Sequence, residues 1–340
     1  MYLSAAEAVL PAIRRTRTFL FRPFRFGTYF KLCLVALLTE GLGSNSNFSH
    51  HGRHARETGA VFPESFHFHP QWIPVIIAGG LVMAMLGLVF FYLITRLRFA
   101  YFHCLVHNTR EISPGWHRYR SQAGRFFLLN LVVGLCFLVA IAVILLPFAG
   151  GIWRFAHEVR AGMHPDAGAI LALVLPMIPI FLLFVVAVLV GDMILRDFML
   201  PHYALEDAAP GQAWAAVWGR IRMQKGSFFA YALLRIVLPI IGVIVLFALL
   251  LIPGIVFVAV VAMVEVGIHT VLADAGVARI FVMAVVGLIS FAIALLVGIC
   301  CGGPLSTAIR EYALIFYGGR YQPLGDILFP PSAVAVAPPA

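Results

Sequence analysis

Long runs of apolar residues, separated by short polar segments, dominate the chain. Five runs reach or exceed the about 20 residues that a helix needs to cross the hydrocarbon core of a bilayer. They cover 72–95, 126–149, 169–195, 228–252 and 280–303. A shorter run, 26–43, carries Lys31 near its start and predicts a sixth span. The pattern therefore predicts an all-α, polytopic membrane protein with about six transmembrane helices.

The predicted spans fall into three similar hairpins. Two segments, "SPGWHRYRSQAGRFFLLNLVVG" (113–134) and "APGQAWAAVWGRIRMQKGSFFAYALLRIV" (209–237), each pass from Pro-Gly through Arg and Trp to a Phe-Phe pair that opens a span. The second span of each hairpin ends in a similar segment that begins at Arg98, Arg196 or Arg310. Such repetition predicts one integral membrane domain, 1–320, followed by a Pro-rich cytoplasmic tail, 321–340. Its repeat units are 1–112, 113–208 and 209–320.

The composition agrees with a lipid environment. Of the 340 residues, 62% are hydrophobic and 11% are charged, and the mean hydropathy is +0.97. Soluble domains carry about 25% charged residues, so this composition excludes that class. The net charge of +9 has no separate basic domain to carry it, so we expect no nucleic-acid partner.

Lys and Arg lie mostly on one side of the predicted spans. Of the 24 residues, eighteen share the side that holds both termini, five lie on the other side, and Arg235 lies inside a span. Cytoplasmic loops are enriched in Lys and Arg. We therefore predict a plasma (inner) membrane protein with both termini cytoplasmic. Its partners would be the bilayer, anionic headgroups at the cytoplasmic face and, less directly, another membrane protein.

An amphipathic segment precedes each hairpin. In "AWAAVWGRIRM" the two Trp residues stand four apart and share a helix face, while basic residues follow them. Such a helix lies in the membrane interface, with its aromatic rings at headgroup depth. The predicted interfacial anchors are Trp116, Trp214, Trp218, Arg220, Arg222 and Lys225. A helix that binds a partner protein is the alternative interpretation.

A family resemblance rests mainly on 196–237. Tyr203–Asp207 ("YALED"), then Pro210, Ala213 and Trp214, and the span that opens at Phe228 form its motif. The motif resembles poorly characterised prokaryotic multi-pass proteins, including the membrane domain that accompanies glycerophosphoryl diester phosphodiesterases. The resemblance implies a six-span helical protein without a settled activity. No soluble segment is long enough to hold a phosphodiesterase domain, so that activity is not implied here.

Two charges, Asp192 and Arg235, lie within the longer predicted spans. Arg235 follows Phe228 by about 10 Å of helix, and Asp192 precedes the cytoplasmic end of its span. Charged residues inside membranes usually pair with one another, which predicts a buried Asp192–Arg235 ion pair. In the alternative interpretation, the Arg235 side chain extends to the headgroups instead.

Five histidines lie in the segment 50–69, between the first two predicted spans. They are His50, His51, His54, His67 and His69. Their spacing is no known ligand pattern, and the neighbouring Gly and Ser residues disfavour a firm helix. We therefore interpret the segment as a solvated outer loop. Metal binding and proton sensing are the alternatives, and we expect no metal or other cofactor.

Small residues recur every four positions in the last span, at Ser290, Ala294, Gly298 and Gly302. Such a face lets helix backbones approach closely in lipid, which predicts packing within the bundle or, alternatively, between subunits. The sequence contains no phosphate-binding loop, nucleophile elbow or HExxH motif. We therefore expect a non-catalytic membrane protein that organises or assists other components. A transporter or channel for a small solute or lipid is the alternative.

Overall fold

The computed structural model describes residues 3–41, 73–160, 167–272 and 276–330. Helices form most of this part of the chain, and it contains no strand. The helices in chain order are α1 (Val9–Phe21), α2 (Phe26–Ala36), α3 (Ile73–Val106), α4 (Ile112–Arg118), α5 (Arg120–Leu145), α6 (Ala149–Arg160), α7 (Ala167–Met193), α8 (Leu200–Leu205), α9 (Pro210–Met223), α10 (Lys225–Val271), α11 (Gly276–Gly318) and α12 (Gln322–Leu328). Two π-helical turns, Leu37–Gly41 and Ile194–Met199, continue α2 and α7.

Five helical segments are long and apolar enough to cross a membrane. They are Pro74–Val106, Arg120–Glu158, Ile170–Leu205, Lys225–Val271 and Gly276–Gly318. The prediction of an all-α, polytopic membrane protein is therefore confirmed. At 1.5 Å per residue, the 47 residues of α10 extend about 70 Å, more than twice the about 30 Å hydrocarbon core.

The predicted span 26–43 is not among the five described helices that could cross. Its described part is α2, of 11 residues, and a π turn of five. The Tyr29 hydroxyl donates to the Cys300 carbonyl at 2.6 Å, while Leu37, two helical turns later, lies beside Gly302. Glu40, later in the π turn, reaches Arg310, so this run contacts α11 between Cys300 and Arg310. The last two residues of this run lie outside the described part of the chain, so the sixth span stays a prediction.

The contacts divide the chain into two compact units. Unit 1 comprises 1–118 and 225–340, and unit 2 comprises 119–224. The boundaries near 118 and 225 follow α4 and α9, the amphipathic helices that precede hairpins. A compact unit and a sequence repeat are different properties, so the three repeat units stay a prediction.

The buried core of each unit lies near the ends of its long helices and on the short helices beside them. In unit 1 it includes 98–106 of α3 and 310–317 of α11, and in unit 2 it includes 194–203. The most apolar window of each spanning helix contains no buried residue. Lipid solvates apolar side chains as well as a protein core does, so these windows gain little from packing. The polar ends of the helices require protein contacts.

The predicted face of small residues is only partly used for packing. Gly302 contacts Leu37, and Ser290 is half-buried, but Ala294 and Gly298 are exposed. The close approach falls one residue after Gly302, where Cys33 of α2 packs against α11. A Cβ atom added at Gly303 would lie 2.6 Å from the backbone Cα atom of Cys33.

Replacing Gly303 with Ala should therefore destabilise the protein, by about 1 to 3 kcal/mol for overpacking. Gly298→Ala is the matched control on the same helix, where an added Cβ meets no atom within 4 Å. It should be neutral or slightly stabilising, because Ala favours the helix. Thermal unfolding of the two variants in detergent tests the difference. A larger loss for Gly298→Ala would support the predicted packing face instead.

Candidate functional site

Glu40 is the centre of a buried cluster of charges in unit 1. Its carboxylate lies 3.5 Å from Arg235 Nη2 and 3.7 Å from Arg310 Nε, and its side chain is 6% exposed. The neighbouring Thr39 carbonyl accepts a hydrogen bond from Arg98 Nε at 3.0 Å. Arginines of α3, α10 and α11 thus converge on one turn after α2.

The π-helical turn Leu37–Gly41 gives Glu40 this position. A π turn inserts one residue into a helix and often occurs at functional sites. Thr39 and Glu40 are both buried, and the Thr39 hydroxyl donates to the Val35 carbonyl at 2.8 Å. Two consecutive residues therefore point into the core of unit 1, where a carboxylate requires a charged partner.

A second ion pair joins α1 to α11. Arg15 Nε lies 3.3 Å from Glu311 Oε2, and the Glu311 side chain is fully buried. Arg15 Nη2 also donates to the carbonyls of Leu105 and Val106, at 2.7 and 3.2 Å, where α3 ends. Adjacent residues on a helix point about 100° apart, so Arg310 faces Glu40 while Glu311 faces Arg15.

Neutral hydrogen bonds connect the same helices. The Tyr101 hydroxyl donates to Thr307 Oγ1 at 2.8 Å, and Thr307 in turn donates to the Gly303 carbonyl at 2.9 Å. Tyr101 and Thr307 are both buried. These bonds join α3 to α11 next to the charged cluster and satisfy polar groups that lipid could not solvate.

The arrangement is that of a structural ion-pair cluster. The two buried carboxylates of this cluster each face an arginine, Glu40 with Arg235 and Glu311 with Arg15. In the described part of the chain, no group of three or more His, Cys, Asp or Glu residues could hold a metal ion. The five predicted histidines of 50–69 lie outside the described residues, so their role stays a prediction.

Unit 2 has a polar network of its own. Asp192 lies 2.5 Å from Arg196 Nε, one helical turn away. His202 Nδ1 lies 3.0 Å from Glu206, and its Nε2 lies 3.4 Å from Arg220. Like the cluster in unit 1, this network occupies the end of a long apolar helix.

The structure gives each member of the predicted Asp192–Arg235 pair a partner within its own unit. Arg196 pairs with Asp192, and Glu40 with Arg235. The sequence analysis missed both partners. A pair between Asp192 and Arg235 would join different units and stays a prediction.

The predicted interfacial residues divide into two groups. Trp116 is half-buried, and the Arg96 guanidinium lies 4.3 Å above its ring. Trp214 and Trp218 are 47% and 40% exposed, and their rings stack at 6.0 Å. Three basic residues accompany this pair. The Arg222 guanidinium lies 5.2 Å from the centre of the Trp218 ring, Arg220 is half-buried, and Lys225 is exposed. The exposed pair has the surface expected of an interfacial helix.

One sequence signal pointed to the missed cluster. Glu40 lies within the predicted span 26–43, and an acidic residue in an apolar run indicates a site with a partner. Arg98 and Arg310 had been recognised only as the starts of repeated segments. Arg310 meets Glu40, 270 residues away, and Arg98 meets the Thr39 carbonyl, 59 residues away, and no periodicity connects such distances.

The long apolar helices with charged clusters at their ends define a helical, polytopic membrane protein. The chain belongs to a family of unknown function, DUF7544, which matches residues 3–327. No curated protein and no solved structure matches the chain. The resemblance to the membrane domain that accompanies phosphodiesterases has no support from this match and stays a prediction.

A double-mutant cycle tests the pairing of Arg235. Glu40→Gln and Arg235→Gln should each destabilise the protein. The first leaves Arg235 and Arg310 without their carboxylate, and the second leaves Glu40 with Arg310 alone. Breaking a buried ion pair costs about 3 to 5 kcal/mol. The double variant should lose less than the sum, with a coupling of about 0.5 to 3 kcal/mol. Denaturation in detergent measures the three losses.

Two further cycles complete the test. Asp326→Asn with Arg235→Gln is the control, because Asp326 is exposed and should give additive losses. Asp192→Asn with Arg235→Gln examines the predicted pair, and coupling there would support it. Additive losses in the Glu40 cycle would contradict the contact between Glu40 and Arg235.

Proposed function

We propose that the protein is a non-catalytic, multi-pass protein of the plasma (inner) membrane that organises or assists other membrane components. The observation that supports this proposal is the position of the charged residues along the chain. The stretches 74–95, 126–149, 169–191, 236–264 and 280–303 contain no Asp, Glu, Lys or Arg. A transporter for a polar solute would need polar groups that converge near the bilayer centre. The charged clusters of this protein support assembly at the helix ends instead.

The surface of the spans supports an organising role. The most apolar window of each of the five helices is unburied, so long apolar faces are available to lipid or to the spans of another protein. The exposed Trp214 and Trp218, with Arg222 and Lys225, support attachment of α9 to the cytoplasmic interface. Both features serve lateral association within the membrane rather than chemistry in a pocket.

A carrier for a lipid or another apolar molecule is the second candidate. A cavity of about 240 Å³ between α5 and α7 is lined entirely by apolar side chains, among them Ile141, Phe148 and Phe181. Pro176 and Pro179 lie inside α7 beside it. Prolines within apolar segments beside a cavity occur in transporters, so this observation favours a carrier.

Cys136 distinguishes the two functions. It is exposed in the middle of α5, in the apolar stretch 126–149. In the organising role it faces lipid, so a membrane-permeant maleimide should label it in intact membranes and a sulfonated, water-soluble maleimide should not. Labelling by the water-soluble reagent, measured by mass spectrometry of the Cys136 peptide, would support a hydrated path and a transporter.

Topology is tested by cysteines placed at exposed or loop positions. With both termini cytoplasmic, Ala55→Cys and Met163→Cys should react with an impermeant reagent on intact cells. His117→Cys and Asp326→Cys, at exposed positions, should react only after permeabilisation. Labelling of His117→Cys on intact cells would overturn the orientation, and protection of Ala55→Cys would place the histidine segment inside.

A further inference from the structure

A polar cleft of about 820 Å³ opens on unit 1, away from the buried charges around Glu40. One wall is formed by residues that come after α1 in the sequence: Arg22, Arg25 and Thr28. The other wall is formed by residues that come after α3. The second wall includes Asn108, Thr109 and Arg110. The side chains of these six residues carry guanidinium, hydroxyl and amide groups, all of which can donate hydrogen bonds.

Arg110 joins the two walls. Its guanidinium donates to the carbonyls of Phe19, Arg22 and Pro23, at the C-terminal end of α1. A cation is favourable there because the last carbonyls of a helix lack intrahelical donors. Arg110 therefore holds the cleft together, while Arg22 and Arg25 remain exposed along its edge.

The wall that follows α1 has the features of an anion site. Arg25 is the N-cap of α2, and the first N–H groups of a helix have no intrahelical acceptor. Thr28 adds a hydroxyl in the first turn, and nothing lies within 4 Å of a Cβ built on Gly27, so the approach is open. Helix N-termini flanked by Arg bind phosphate well.

Charge favours an anion over a cation. Arg22, Arg25 and Arg110 line the cleft, against one acidic lining residue, Glu111. Burial and the nearby Arg118 lower the pKa of His107, one residue before the lining residue Asn108, below its usual value of 6.5. Protonation of His107 is therefore disfavoured at pH 7, and the arginines are the permanent positive charges of the cleft.

Exposed phenylalanines flank the two exposed arginines, Arg22 and Arg25, in "FLFRPFRF" (19–26). Phe21, Phe24 and Phe26 are 43%, 56% and 56% exposed, and the rings of Phe21 and Phe24 stack at 6.2 Å. Exposed aromatic rings beside basic residues are typical of a segment at headgroup depth. They place the cleft where a lipid phosphate would meet it.

We propose that this cleft binds a phosphate-bearing anion, held by Arg22, Arg25, the Thr28 hydroxyl and the first N–H groups of α2. An anionic phospholipid headgroup and a dissolved phosphate ester share this chemistry. The flanking phenylalanines favour the phospholipid. The site does not depend on the organising role proposed above.

The experiment uses the full chain in phosphatidylcholine nanodiscs. One arm titrates short-chain phosphatidic acid and the other titrates glycerol 3-phosphate, and binding is measured by thermophoresis. Arg22→Gln with Arg25→Gln is the test variant. Arg14→Gln with Arg17→Gln is the control, because it removes the same charge from exposed positions of α1 outside the cleft.

The test variant should weaken phosphatidic acid binding by roughly tenfold or more, the effect of losing a charge-assisted hydrogen bond, while the control keeps the wild-type affinity. Thr28→Val, which leaves the charge unchanged, should weaken binding severalfold. It decides the result if the double variant does not fold, as judged by gel filtration.

The two arms identify the source of the phosphate. Arginine-dependent binding in the phosphatidic acid arm alone supports a lipid headgroup, and binding in both arms supports a site that also accepts dissolved esters. Equal weakening by the test and control variants would show diffuse attraction to the basic surface and overturn the proposal. Unchanged binding in both the test variant and Thr28→Val would also overturn it.

Discussion

A buried carboxylate beside a membrane must have a charged partner, and Glu40 satisfies this requirement with Arg235 and Arg310. Because these arginines come from α10 and α11, the requirement brings both helices to the turn after α2. Arg98 of α3 joins them through the Thr39 carbonyl. Lipid gives apolar helices little reason to associate, so these polar contacts set the arrangement of unit 1.

The separation of apolar stretches from charged helix ends connects the fold with the proposed role. The apolar stretches of the long helices are left to lipid or to neighbouring proteins, and the charged ends are packed within the chain. Such a protein has apolar surfaces that can contact lipid or other spans, and charged helix ends that are fixed by contacts within the chain. The cleft beside Arg22 and Arg25 is the place proposed to hold a phosphate at headgroup depth.

The repeated arginines show how similar segments acquired different partners. Arg98, Arg196 and Arg310 open matching segments, and all three are buried. Arg310 faces Glu40, whereas Arg196 pairs with Asp192 one turn earlier in its own helix. The residue that follows each arginine also differs, since Phe99 replaces the acids at the other two positions. Sequence similarity between hairpins thus preserved the buried position and not the contact.

The sequence by itself determined the solvent and the helices. Runs of more than 20 apolar residues are stable only inside a bilayer or a protein core. With 11% charged residues, the chain has too few polar side chains to cover such a core in water, which leaves lipid. It also marked the ends of the spans, because arginines and tryptophans gather there. These properties are local, and a window of neighbouring residues contains all the information.

Only the tertiary structure decided which charges meet and how the first apolar run is used. Glu40 and Arg310 are 270 residues apart, so their contact depends on where α2 packs against α11. That packing depends on Gly303, which lets the backbone of α2 approach, and on the π turn that directs Glu40 inward. Hydropathy measures transfer to lipid and contains no term for a polar partner supplied by a distant helix, so it identified 26–43 as apolar without indicating its contacts with α11.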